Sequence, residues 1–299
     1  MTVEFDVAVS EVGLESSLAI DELLKRRLGG RPVAEYAYGD PIAWDVIADS
    51  GWDLVGASEE NGGADVELRD LIAIAQVVGR WLPPIPIMNT IMTKRWSSAA
   101  RDADGPVTVA VRIAGGRVVV PFGATPGIDL LANTESGQDA VSASSALVAD
   151  DYAPSLRAAE GGEPTGFTRE SAREFALVWA AEAVGCGERM LDVAVEYVKQ
   201  RQQFGQPIGR FQAVKHHLAD ALISVQEAES AVLWGAAEAP KLTPALDIAF
   251  SSSLRAVEIA VQAHGGLGFT WEFGLHVYLR HIVSLRLLAM GLAEIVDKD

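Results

Sequence analysis

Apolar positions along this chain recur mostly at helical spacing, with one short stretch at period two. Residues 14–30 bring Leu14, Leu18, Leu24 and Leu28 round at near-helical intervals, and Gly29-Gly30 supplies a stop. After a Pro/Gly-bearing link, residues 41–51 predict a second helix closed by Gly51. A third is expected from about Glu67 to Trp81, with Leu68, Leu71, Ile72, Ala75, Val78 and Gly79 on one stripe. Between them, Ser58, Asn61, Gly62 and Gly63 are turn residues. Residues 105–150 change period: V-T-V-A-V-R-I alternates, Gly115-Gly116 makes a hairpin turn, and R-V-V-V-P-F returns. Strand-like runs follow at Ile128–Ala132, Ala140–Ala143 and Ala146–Ala149, and residues 154–172, rich in Gly, Pro, Glu and Thr, predict a linker.

From about Ser171 the pattern is helical almost to the end. Val184, Leu191, Val195 and Val198 keep to one face of the first long segment, and residues 211–238, 245–263 and 272–296 supply three more. Long helices with short links imply an antiparallel bundle, and a bundle this apolar commonly offers a face to another subunit. The predicted class is α+β, mostly α. Its expected parts are an N-terminal helical domain (1–103), a small β domain (104–165) and a C-terminal four-helix bundle (166–299).

Composition narrows the function classes. Acidic residues outnumber basic ones 41 to 24, a formal charge of −17, which argues against nucleic acid or an anionic membrane as partner. Cys186 is the sole cysteine, so an intramolecular disulfide is excluded and a reducing compartment is the default; amid helix-spaced apolar residues it is expected to be a small buried hydrophobe. Neither a signal-peptide pattern nor an apolar run of transmembrane length is present, so a cytoplasmic location is expected. The adjacent pair His216-His217 diverges by about 100° on a helix, which is unsuited to a shared metal. His264 is expected to be structural, whereas His281, beside Arg280, could face a substrate cavity. The tryptophans are spaced like core or interface anchors.

Two stretches carry chemistry. Residues 201–212 read R-Q-Q-F-G-Q-P-I-G-R-F-Q at a predicted helix–helix connection, punctuated by Gly205 and Pro207. Arg201 and Phe204 would share a face if the helix ran that far, and a guanidinium beside an aromatic ring suits a flat, anionic ligand. Residues 262–269 read Q-A-H-G-G-L-G-F at the close of an apolar helix, where glycines allow close approach of a backbone or ligand. Together and in this order they resemble the acyl-CoA dehydrogenase family, with its R-x-x-F-G-x-P-I-x-x-F-Q and Q-x-x-G-G-x-G-F/Y motifs. The loop G-W-D-L-V-G-A-S-E-E-N-G-G-A-D is similar to the family's G-x-x-x-x-x-x-P-E-x-x-G-G-x-G. Ala57-Ser58 stand where proline is usual, and Asp65 where glycine is usual.

The resemblance implies a site for flavin adenine dinucleotide (FAD) shared across a subunit interface. Arg201, Gln203 and Phe204 would lie on its pyrophosphate or adenosine end, with Gln262, Gly265 and Gly266 meeting it from the other helix end. The family's reaction is α,β-dehydrogenation of an acyl-CoA thioester, with a glutamate base. That base position falls on Ala289, and the aspartate usual beside Arg280 is His281. The family's alternative base position falls near Phe175; Glu174 is adjacent but turned away by about 100°. The family's T-E-P-x-x-G-S-D and W-I-T/S-N signatures of the flavin-bearing β domain are also missing. No catalytic residue is therefore assigned.

The chain looks like the shorter, non-catalytic subunit of the α2β2 dehydrogenases of actinobacterial steroid side-chain degradation. In that likeness a full-length partner supplies the glutamate and most of the acyl-CoA site, and an electron-transfer flavoprotein or similar acceptor takes the electrons. A reduced β domain would leave room for a bulky polycyclic acyl group. Two other readings compete: a flavin-free structural or regulatory helical protein of the same descent, and a self-sufficient dehydrogenase or oxidase using Glu174 or Glu182.

Overall fold

A computed structural model describes residues 8–37, 42–123, 127–133, 139–143, 147–149, 156–159, 163–237 and 240–298. Helix α1 (Glu11–Leu28) starts at Ser10, whose hydroxyl accepts the Gly13 N–H at 3.0 Å and donates to Asp70 at 2.8 Å. Its buried face is Ile20, Leu23, Leu24 and Leu28; Leu14 and Leu18, expected on that stripe, are exposed because they lie on the far side of the turn from Ile20. The predicted helix over 41–51 shrinks to a single turn, α3 (Asp45–Ala48), preceded by the equally short α2 (Val33–Tyr36). Asp65, where the resembling family carries glycine, has left-handed backbone at φ 48°.

Helix α4 (Leu68–Trp81) buries the expected Leu71, Ile72, Ala75, Val78 and Gly79, with Leu68 packed at the margin. A fully buried side chain such as Leu71 contributes about 2 kcal/mol. The last carbonyls of α4 are satisfied by tyrosines from distant segments: Tyr36 Oη donates to Trp81 O at 2.6 Å and Tyr278 Oη to Arg80 O at 3.2 Å. Helices α5 (Ile87–Trp96) and α6 (Ser98–Arg101) complete the N-terminal helices.

The run over 107–113 is not one strand. It divides at Ala110 into β1 (Val107–Val109), parallel to β4 (Asp129–Asn133), and β2 (Val111–Arg112), which pairs with β3 (Val118–Pro121) across the expected Gly115-Gly116 turn. Val107 to Val111 are all buried, so the period-two pattern marks a strand covered on both faces. Thr165 fastens the crossing: its hydroxyl accepts the Ala110 N–H at 2.9 Å and donates to Leu131 O at 2.6 Å. One sheet has the order β1-β4-β5, with β5 at Asp139–Ala143. The other runs β2-β3-β7-β6, with β6 at Leu147–Ala149 and β7 at Leu156–Ala159. The predicted linker over 154–172 therefore contains a strand, since β7 completes the sheet against β3.

Four long helices follow: α7 (Arg169–Gln200), α8 (Gln212–Ala236), α9 (Thr243–His264) and α10 (Leu275–Val296). Thr168 and Ser171 form a reciprocal cap on α7, moving its start two residues ahead of the expected one. From Ser171 to Gly187 every α7 residue except Arg173 is buried, making this half the axis of the molecule. It crosses α4 at reciprocal glycines: a Cβ on Gly79 would strike the Glu182 carbonyl, and one on Gly185 the Gln76 carbonyl. Asp297, just past α10, caps α9 by accepting the Leu242 and Thr243 N–H groups at 2.7 and 3.0 Å. One continuous core joins α1, α4, α5, β1–β3 and α7–α10.

Candidate functional site

The two motifs sit at the same end of the bundle. Tyr197, one turn before the end of α7, stacks on His264, the last residue of α9, at a centroid distance of 4.4 Å. Helix α7 stops at Gln200, so Arg201 is its C-cap and does not share a helical face with Phe204. Instead of a plain helix–helix connection, residues 202–207 form a small hairpin, β8 (Gln202–Gln203) with β9 (Gln206–Pro207). Phe204 and Gly205 are its central residues at φ 51° and 76°, the signs of a type I′ turn. Glycine takes this backbone without penalty, but a phenylalanine there costs about 1 kcal/mol. The strained ring is 92% exposed and touches Phe211 edge-on at 6.1 Å.

Arg201 and Gln203 are exposed beside it. Although the whole chain carries −17, residues 197–219 hold Lys199, Arg201, Arg210 and Lys215 and no Asp or Glu. At the α9 end, Gln262, Gly265 and Gly266 are exposed, and Cβ atoms on Gly265 or Gly266 would meet nothing within 4 Å. Gly265 still needs its φ of 59°, whereas Gly268 is packed against Val261 and His264. A groove of about 490 Å³ opens here, lined by Glu258, Val261, Gln262, Gly265, Phe269 and Leu279, with Phe269 80% exposed. Basic charge, bare aromatic faces and unhindered backbone suit a flat, anionic ligand such as the pyrophosphate–adenosine half of a dinucleotide. Phe269 and Tyr197 went unassigned in the sequence; Phe269 closes the quoted glycine motif, and Tyr197 precedes Arg201 by one helical turn.

The candidate bases are spoken for. Glu174 is buried and held by Arg95 Nε at 2.8 Å, Arg95 Nη2 at 3.3 Å and Trp96 Nε1 at 2.9 Å. The same Arg95 donates to Gly56 O and Val66 O, so the ion pair braces the N-terminal loop against α7. Glu182 is buried with its Oε1 2.7 Å from His281 Nε2, so His281 faces a carboxylate inside the bundle and not a substrate cavity. Ala289 is fully buried. Cys186 is the inert hydrophobe expected: burial, then the nearby Glu182, pushes its thiol pKa well up. His216 and His217 are both exposed, and among the described residues no group of three or more His, Cys, Asp or Glu could hold a metal. No helix among them is long and apolar enough to cross a membrane.

A helical N-terminal part, a small β layer and a four-helix bundle with paired motifs at one end define an acyl-CoA dehydrogenase fold. The family model "Acyl-CoA dehydrogenase, C-terminal domain" matches residues 168–296. Acyl-CoA dehydrogenase IpdE2 of Mycobacterium tuberculosis is 34% identical over 262 residues, spanning 81% of this chain and 80% of that protein. The chain belongs to the acyl-CoA dehydrogenase family. Among solved structures, the Tcur3481-Tcur3483 steroid ACAD G363A variant matches with a TM-score of 0.74 at 20% identity over 96% of each chain. The ChsE4-ChsE5 complex from Mycobacterium tuberculosis matches with 0.69 at 20% identity, over 97% of this chain and 96% of its own. At those identities the likeness is one of fold.

Proposed function

We propose that this chain is the base-lacking subunit of a heteromeric, FAD-dependent acyl-CoA dehydrogenase. It completes the flavin site of a full-length partner subunit that supplies the glutamate. The observation that carries this reading is the contrast between consumed carboxylates and exposed cradle residues. Glu174 and Glu182 are buried in ion pairs or hydrogen bonds within the chain, Ala289 occupies the expected base position, and Arg201, Phe204, Gly265 and Gly266 face outward. A buried carboxylate held by a guanidinium fork is a poor proton acceptor for a substrate carbon. FAD, when bound, supplies the two-electron acceptor for oxidation of the acyl-CoA Cα–Cβ bond. This chain's part would be to hold and orient it, with Arg201, Gln203 and Phe204 at its pyrophosphate or adenosine end and Gln262, Gly265 and Gly266 meeting it from the other helix end.

One fold neighbour titled a steroid ACAD, and the two-component names of both solved neighbours, support an α2β2 assembly acting on a steroid side-chain CoA ester. In it the acyl group is bound mainly by the partner, and an electron-transfer flavoprotein or similar acceptor reoxidises the flavin, in the cytoplasm. The same reading divides the chain into units at 1–103, 104–165 and 166–299. The test is the visible spectrum of the chain alone and co-expressed with a full-length homologue. A flavin band only in the complex, lost with Arg201→Ala, supports a shared site. A colourless complex overturns it in favour of a structural role, and a yellow lone chain points to self-sufficiency.

A further inference from the structure

Of the side chains that join the two motifs, Tyr197 and Phe273 lie outside both, and His264 fills a variable position of the second. Tyr197 carries the carbonyl that accepts the Arg201 N–H at 2.9 Å, and His264 immediately precedes Gly265. Their rings stack at 28°, and Phe273, in the turn before α10, meets both toward the edge, at 6.3 and 5.3 Å. His264 is buried, with Nδ1 2.7 Å from Ala260 O, which places a proton on Nδ1 and fixes the ring plane. Burial lowers its pKa against the opposing pull of that backbone bond, so the ring is neutral at physiological pH. The Phe204 hairpin has two residues per strand; its first strand and turn are exposed, and Gln206 and Pro207 are half-buried. A pair that short does not hold itself in place, so its orientation comes from the segment on which it stands.

We infer that the Tyr197–His264 stack is a positioning contact that sets the Arg201 hairpin against the Gly265–Gly266 turn, so that one ligand meets both. The inference rests on the flavin-site reading for its effect on the cofactor, but the mechanical link belongs to the chain alone. Phe273 extends the contact to a third segment, so the rings tie the ends of α7 and α9 to the start of α10.

The experiment uses the complex with the full-length partner, with amide hydrogen exchange and flavin dissociation as paired readouts. His264→Ala is expected to speed exchange at residues 201–208 about tenfold, and Tyr197→Ala to do the same at residues 265–271. Flavin leaves either variant about tenfold faster. His264→Phe, which keeps a ring in the stack, restores both readouts. Exchange in the opposite motif that stays at its wild-type rate overturns the positioning role, whether or not flavin binds. Equal losses in the Phe and Ala variants, with equal falls in melting temperature, also overturn it, because general core damage would then be the cause. A wild-type complex without flavin overturns the flavin-site reading instead, and coupled exchange between the motifs still supports the stack.

Discussion

The two ends of α7 treat charge and backbone in opposite ways. In the first half, Glu174 and Glu182 are buried beside Arg95 and His281, and Gly185 lets α4 come within backbone contact. At the far end Arg201 and Phe204 stand in solvent, and Gly265 and Gly266 at the end of the neighbouring α9 have open space about them. Glycine and charge at the first end are explained by packing inside the chain. At the second end packing inside the chain explains neither, and a strained, bare phenylalanine is tolerated. The contrast separates residues that packing inside the chain accounts for from residues that it does not.

Substitutions on the two sides should therefore divide cleanly between stability and binding. Arg95→Ala leaves the buried Glu174 carboxylate without its cationic partner, with Trp96 Nε1 as its remaining donor, and strips two loop carbonyls of theirs; it is expected to lower unfolding free energy by about 3–5 kcal/mol in denaturant titrations. Gly185→Ala forces α4 and α7 apart and should cost about 2–3 kcal/mol by the same measurement. Asp297→Ala removes the acceptor at the start of α9, at a cost of about 1–2 kcal/mol in thermal melts. Burial acts to raise the Asp297 pKa. The hydrogen bonds from Thr243 and Leu242, with Lys241 nearby, outweigh burial and hold the pKa below its usual value. Its contribution is thus complete above the unfolded-state pKa and is lost as pH falls through the lowered folded one. Wild type and Asp297→Ala should accordingly converge in melting temperature only in strong acid.

At the other end the signs change. Phe204→Asn relieves the left-handed strain and should raise stability by about 1 kcal/mol, while flavin retention in the complex falls. A loss of stability there would mean that the ring packs within its own chain and the contrast fails. Gly266→Ala should leave stability within about 0.5 kcal/mol and still weaken flavin retention, read from the flavin-to-protein absorbance ratio.

How much of this was legible beforehand follows from where each signal lies. The stripe of α4 and the four long helices announce themselves by periodicity, because each repeats its apolar face over several turns. The hairpin at Gln202–Pro207 does not: its strands are two residues long and polar, and the turn uses Phe-Gly in place of Asn-Gly. Strand β7 is hidden for a related reason, since L-R-A-A has no distinctive alternation and acquires its identity from pairing with β3. Arg95 and Glu174 are 79 residues apart, and Glu182 and His281 are 99 apart. No local pattern connects such partners, so neither carboxylate could be seen as occupied until the helices were placed. The family motifs located the outward-facing end, but not the half-buried Tyr197 and Phe273 rings behind it.

The tyrosine that closes α4 bears on how the chain comes to fold. Arg80 O waits for a hydroxyl 198 residues later, on a helix made long after α4 itself. While the chain is still growing on the ribosome, the amino-terminal helices can collapse, but their exit from α4 toward α5 lacks one of its two ties. Final docking is then a late, long-range event. Refolding should show a slow phase whose amplitude follows Tyr278, with the early helices already protected before it begins.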